Sequence, residues 1–102
     1  WDTAKGFDQS APLSALTPKV NFAPSTDTPI CLTVNDELRQ SALLGQMIWS
    51  VAEIIEQLSR LFELKAGDII YTGTPAGVAA VAKGDKLCGE IAGLNALNFD
   101  II

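Results

Sequence analysis

The sequence predicts an α+β fold, rich in β-structure, with one main helix at about 51–62. Three observations support this. Only the stretch Val51 to Phe62 repeats apolar residues at helical spacing. Around it lie short runs of β-branched, aliphatic and aromatic residues, such as Ile30–Val34, Ile69–Thr72 and Leu97–Ile101. Between these runs stand Gly, Pro, Asn and Asp residues of the kind that turn a chain. The expected architecture is one helix packed on a mostly antiparallel, β-rich body.

The 102 residues make one small domain, and a chain of this length buries somewhat over about 60% of its unfolded surface. A hydrophobic content of 48% and a charged content of 19% are those of a globular protein. Twelve acidic residues against seven basic ones give a formal net charge of −5, which disfavours nucleic acid or an anionic membrane surface as partner. No apolar run approaches the roughly 20 residues of a membrane span. The chain has no histidine, which removes Ser-His-Asp and Cys-His catalysis and every His-based metal site from it. Cys31 and Cys88 stand far apart. A single long-range disulfide is compatible with them, but two free thiols in a reducing cytoplasm fit better, since no small-domain disulfide framework is present. The opening residues lack the basic start and apolar core of a signal peptide. They also lack an initiator Met and begin on Trp1 inside a patterned segment, as expected of a piece of a longer protein.

Taken in order, residues 1–29 carry Pro12, Pro18, Pro24 and Pro29, a spacing that forbids a long helix. The expectation is a looping segment with short strands, one near Leu13–Leu16. Ile30–Val34 reads as a strand, Asn35-Asp36 as a two-residue hairpin turn, and Glu37–Gln40 as the returning strand. Ser41 to Gln46 is a link without a clear period. Ser50-Val51-Ala52-Glu53 has capping-box spacing, and Trp49 with Ile54 suits a hydrophobic staple. Val51, Ile54, Ile55, Leu58 and Leu61 or Phe62 form the apolar face of the helix, and Glu56 and Arg60 form an i,i+4 pair on its outer side. Glu53 and Glu56 could be read as metal ligands or as an acid–base pair; a cap and a solvated face explain them better. Gly67-Asp68 and Gly84-Asp85 mark turns, and Leu87–Ile91 and Leu94–Ile102 read as the last two strands.

The most informative stretch is Ile69-Ile70-Tyr71-Thr72-Gly73-Thr74-Pro75-Ala76-Gly77-Val78. It reads as a buried strand running into a Gly/Pro turn. Gly73 permits positive φ or a close backbone approach, and Pro75 stops the strand. Thr72, Thr74 and nearby amides are left at a strand end, a common place for a ligand, although a plain turn has the same composition. Lys5, in Ala4-Lys5-Gly6-Phe7-Asp8, reads as a solvated surface charge or as a cation that holds an acidic substrate. Nothing local decides between the two. The remaining acids show no Mg²⁺ or Ca²⁺ ligand spacing, and the turn lacks the Gly-Lys-Ser/Thr ending of a phosphate-binding P-loop.

Four blocks in one order carry a resemblance. Trp1…Ala4-Lys5-Gly6-Phe7-Asp8…Ala11-Pro12-Leu13 resembles the W…AK-x-FD…CPL segment of the fumarylacetoacetate hydrolase family. Val34-Asn35-Asp36-Glu37-Leu38-Arg39-Gln40 with Met47-Ile48 resembles its VNGE-x-RQ…MI segment, and Leu64 to Val78 resembles its L-x-x-GD-x-I-x-TGTP-x-GV signature. Gly84-Asp85 follows at the expected distance. The blocks cover nearly the whole chain, and the small acylpyruvate hydrolase and oxaloacetate decarboxylase/tautomerase members are the most similar type.

The resemblance implies a mixed β-roll, a homodimer, and Mg²⁺ or a similar divalent ion acting on a 2-oxo acid as a Lewis acid. It implies that residues 1–102 are the C-terminal part of one catalytic domain, with the two Glu and one Asp that hold the metal lying upstream. By the same carry-over Lys5 is the active-site lysine, Thr74 gives its hydroxyl or amide to the substrate beside Gly73, and Gln9 is a further ligand contact. The His–Glu pair that activates water in hydrolytic members is absent from these residues, and Ala79 stands where many relatives have Gly. Three readings follow: part of a hydrolase cleaving a C–C bond in an acylpyruvate such as fumarylpyruvate, an oxaloacetate decarboxylase or tautomerase, or a non-catalytic β-roll module.

Overall fold

The structure, a computed structural model, describes residues 2–102; Trp1 of the first resemblance block lies outside them. The order of elements is helix α1 (Asp2–Lys5), a 3-10 turn at Lys19–Asn21, strands β1 (Pro29–Val34) and β2 (Glu37–Leu43), a 3-10 turn at Leu44–Gln46, helix α2 (Val51–Leu61), and strands β3 (Lys86–Ile91) and β4 (Leu97–Asp100). The four strands form one antiparallel sheet in the order β2-β1-β3-β4, so β2 and β4 are its edges. The β-rich class with one main helix is as the sequence predicts.

Asn35 and Asp36 both adopt positive φ, 52° and 66°, as a type I′ hairpin turn requires. The return strand runs on through Ser41 to Leu43, where the sequence suggested only a link. Register explains why the alternation fades there. Leu32 pairs with Gln40 but Thr33 pairs with Leu38, so Arg39 is an extra residue in a β-bulge. The bulge shifts the two-residue period of β2 by one position.

The Gly84-Asp85 turn is locked onto the hairpin. The Asn35 side chain donates to Asp85 Oδ1 at 2.9 Å and accepts the Lys86 amide at 2.9 Å, while the Asn35 amide donates to the Lys86 carbonyl at 2.8 Å. The Asp85 carboxylate also accepts the Ala82 amide at 2.8 Å. The Gly67-Asp68 turn repeats this device, with Asp68 accepting the Lys65 amide at 2.8 Å. In each turn the glycine has a positive φ, 95° at Gly67 and 94° at Gly84, which a type II turn needs at its third residue.

Three expectations change. Leu13–Leu16 joins no sheet. Ile69–Thr72 is likewise no strand: it is largely exposed and pairs with no strand among the described residues. β-Propensity reports how well side chains suit a pleated surface, but a ladder also needs a neighbour to take the segment's amides and carbonyls. Third, α2 is not buried on the sheet. Its cap forms as predicted, with Ser50 accepting the Glu53 amide at 3.2 Å and Glu53 accepting the Ser50 amide at 3.1 Å. Glu56 and Arg60 pair at 2.8 Å. Yet no residue of α2 is buried; Ile54 and Leu58 line only a shallow cleft with Trp49, Ile70, Tyr71 and Thr72.

Val34, at 2% exposure, and Leu87 are the buried apolar residues, whereas Val20 and Ile48 exceed 90% exposure. The accessible surface is 8237 Å² for 10.8 kDa, against about 5,500 Å² for a compact monomer of that mass. The apolar pattern written into the helix is therefore one that this chain does not itself cover.

Cys31 and Cys88 are free thiols on neighbouring strands, each set opposite another residue: Cys31 faces Glu90 and Cys88 faces Thr33. Desolvation first, then the hydrogen bond to Glu90 and nearby negative charges, push the Cys88 thiol up, so it is not an activated nucleophile.

The Asp85 carboxyl is held below its ordinary value of 3.8, chiefly by the Ala82 amide, then by Asn35, with a small help from Arg39 and against a desolvation that raises it. A depressed folded-state value stabilises the protein fully above the unfolded value, near 3.9, and the effect is lost as pH falls through the folded one. Asp85→Asn is expected to lower stability above about pH 5 and to match the parent once both values are passed on the acid side. Urea unfolding across that range checks this, and equal stability of the two proteins at neutral pH would count against it.

Candidate functional site

The Thr72–Val78 turn is shaped by contacts with the edge strand β2 and not by a ladder of its own. Gln40, in the bulge region of β2, is 9% exposed and is the buried polar side chain among the described residues. Its amide nitrogen donates to Thr74 Oγ1 at 2.9 Å and to the Pro75 carbonyl at 2.8 Å. A buried amide left without partners costs about 1–3 kcal/mol, so burial and the two bonds are coupled. Two residues further on, Gly77 (φ +105°) lies so close to β2 that a Cβ there would sit 2.5 Å from the Arg39 carbonyl. The bulge residue and its neighbour thus seat the turn at two points, Thr74-Pro75 and Gly77.

The lead-in to the turn is held from the other side. Tyr71 donates its hydroxyl to the Ala11 carbonyl at 3.0 Å, with the Pro12 carbonyl at 3.4 Å. This bond ties the segment before Gly73 to the one after Gln9. It joins the two blocks that the sequence singled out some 60 residues apart. Lys5 is exposed at the end of α1, and Gln9 is exposed in the left-handed region at φ 60°, within a turn in which the Ser10 amide reaches the Phe7 carbonyl at 3.1 Å. Gly73 has φ +94° and Thr74 is exposed apart from its Gln40 bond. The structure brings Gly73 and Thr74 into one buttressed turn and tethers to it the segment that carries Gln9.

Sequence reasoning missed Gln40 and Tyr71. Glutamine is mostly a surface residue, and between Arg39 and Ser41 on a charged strand nothing in the spacing marks it as buried. Tyr71 reads as a strand residue, and its phenol is spent on a distant backbone carbonyl. Glu53 and Glu56 are the cap and the outer ion pair that the helix pattern predicts. Among the described residues no three His, Cys, Asp or Glu side chains gather to hold a metal ion.

An antiparallel sheet whose edge strand buttresses a Thr-Gly-Thr-Pro turn makes this a β-rich α+β protein with its candidate site on a turn. The family profile described as fumarylacetoacetate (FAA) hydrolase C-terminal matches residues 1–102, and the chain belongs to that family. It is 38% identical over 101 residues to a fumarylpyruvate hydrolase of a Ralstonia species, covering 99% of this chain and 52% of the relative. It is 42% identical over 88 residues to an oxaloacetate tautomerase of Escherichia coli, covering 85% of this chain and 40% of that one. The crystal structure of fumarylpyruvate hydrolase from Pseudomonas aeruginosa in complex with Mn²⁺ and pyruvate superposes with a TM-score of 0.94 at 43% identity, over 100% of this chain and 44% of its own. The chain spans about half the length of the relatives it matches.

The two glycines of the turn give a contrast. Both have positive φ, but a Cβ at Gly73 meets nothing within 4 Å. Gly73→Ala is expected to cost only the conformational term, about 1 kcal/mol. Gly77→Ala must also displace the turn from the Arg39 carbonyl and is expected to cost a further 1–3 kcal/mol or so. Denaturant unfolding of both variants checks this, and equal losses would refute the close approach.

Proposed function

We propose that residues 1–102 are the C-terminal part of one catalytic domain of a divalent-metal-dependent hydrolase, which cleaves a C–C bond in an acylpyruvate-type 2-oxo acid such as fumarylpyruvate. The observation that carries this is the turn clamped by Gln40 and tethered by Tyr71. It is a prebuilt set of hydroxyl and amide groups in a chain nearly superposable on part of a pyruvate-bound relative. The exposed apolar surface and the roughly half-length coverage both support a domain completed by further chain. The metal ligands, and the water-activating pair that hydrolysis needs, are assigned to that further chain; Mg²⁺ is the proposed ion.

Within this reading the chain's own residues bind and orient the substrate. Lys5 supplies a fixed positive charge beside the carboxylate and the negative charge that develops on the oxo oxygen, an effect that strengthens where water is excluded. Thr74 offers its hydroxyl or amide, Gly73 lets the backbone approach, and Gln9 lies on the tethered segment. A turn already shaped before binding spares the ligand the ordering cost. The protein is proposed to act as a cytoplasmic homodimer; no described helix is long and apolar enough to cross a membrane.

A second reading, oxaloacetate decarboxylation or tautomerisation, is favoured by the identity to the oxaloacetate tautomerase. It uses the same enolate and needs no activated water. Assays of the full-length protein with acylpyruvates and with oxaloacetate, with and without Mg²⁺, separate the two. Lys5→Ala is expected to abolish turnover, a loss of at least about 100-fold for one electrostatic group, while circular dichroism and unfolding stay unchanged. Parental rates from that variant would remove Lys5 from the site.

A further inference from the structure

We infer that Gln40 is a positioning residue that fixes the Thr74 hydroxyl as a hydrogen-bond donor to a carboxylate or oxo oxygen of the substrate. The inference rests on the proposed reading of the turn as one wall of a 2-oxo acid site, and the polarity of the bonds gives it. The Pro75 carbonyl can only accept, so the Gln40 atom 2.8 Å from it must be the amide nitrogen. That settles which way the side-chain amide is turned. The same nitrogen lies 2.9 Å from Thr74 Oγ1. It carries two protons, one for each partner, so the Thr74 oxygen accepts from Gln40.

A hydroxyl that accepts in this way keeps its own proton for another acceptor. Among the described residues the Thr74 hydroxyl donates to none, and Thr74 itself is exposed. The proton is therefore offered to whatever the turn binds. An oxygen held as a donor suits a carboxylate or carbonyl oxygen, and it disfavours a ligand group that must itself donate. Burial strengthens the arrangement: at 9% exposure Gln40 has little water to exchange its partners with. The residue touches no substrate in this scheme and acts through Thr74 alone.

A double-mutant cycle on pyruvate binding tests this, using the full-length protein with its divalent metal and isothermal titration calorimetry. Thr74→Val removes the hydroxyl at nearly constant shape and is expected to raise the Kd for pyruvate roughly tenfold or more, as for one hydrogen bond to a charged group. In Gln40→Glu an ionised carboxylate takes the Thr74 proton instead of donating to its oxygen. The expected rise in Kd is of similar size at about pH 8. It is much smaller at about pH 5, where a carboxyl raised by burial is protonated and donates again. The double variant is expected to bind no more weakly than Thr74→Val alone. A Gln40→Glu penalty that persists in the Thr74→Val background overturns the inference and leaves Gln40 as a support for Pro75 only. Parental pyruvate affinity in a folded Thr74→Val protein overturns it as well. A parent protein that binds no pyruvate overturns the oxo-acid reading of the site, and the inference with it. If Gln40→Glu does not fold, Gln40→Met, of similar volume and without a donor, closes the same cycle at one pH: its penalty is expected to vanish in the Thr74→Val background, and a penalty that persists there overturns the inference.

Discussion

The buried amide of Gln40 is the contact on which the candidate site depends. It sits at the edge of the sheet, where a β-bulge shifts the strand period so that Gln40 pairs across from Leu32 and Arg39 is left over. Bulges commonly re-aim a side chain at a sheet edge. Here one buries an amide against the Thr74–Pro75 turn and brings the neighbouring carbonyl against Gly77. The turn has no ladder of its own, so this edge does for it what a neighbouring strand does for a strand. The cover also blunts an edge that would otherwise present unpaired backbone groups to other chains.

Around that contact the chain uses polar side chains to hold turns where apolar burial is thin. Asn35 and Asp85 join the hairpin to the start of β3, and Asp68 closes the same kind of turn at the exit from the helical region. The Tyr71 phenol bonds a backbone carbonyl across some 60 residues. Each such bond contributes about 1 kcal/mol net, too little to replace a core. With Val34 and Leu87 as its buried apolar residues, the chain has its turns fixed but its hydrophobic faces uncovered. That division sets the local geometry through the chain's own polar residues and leaves its apolar faces open.

Much of the fold was legible because the signals were local. The Ser50–Glu53 box, the Glu56–Arg60 pair, the Asn35-Asp36 turn and the two Gly-Asp turns each involve residues no more than four apart, and each formed as read. Ile69–Thr72 was misread because β-propensity reports a shape and not a partner. The helix pattern predicted an apolar face correctly but could not say what covers it. Family membership was legible from motif order. The placing of Gly73 and Thr74 in one turn was legible too, whereas their support was not, since Gln40 lies 34 residues away and its place at the end of the Val34–Gln40 block says nothing of what it bonds.

The shape of the turn has its source within the chain. The described residues gather no cluster of metal ligands, yet the turn with Gly73 and Thr74 is held by bonds internal to this chain. The turn therefore reaches its geometry through this chain's own residues. Preorganisation of that kind lowers the ordering cost of binding for any ligand that a turn takes. A buried glutamine suits the task better than a charged residue. It donates twice without carrying a charge that burial would penalise.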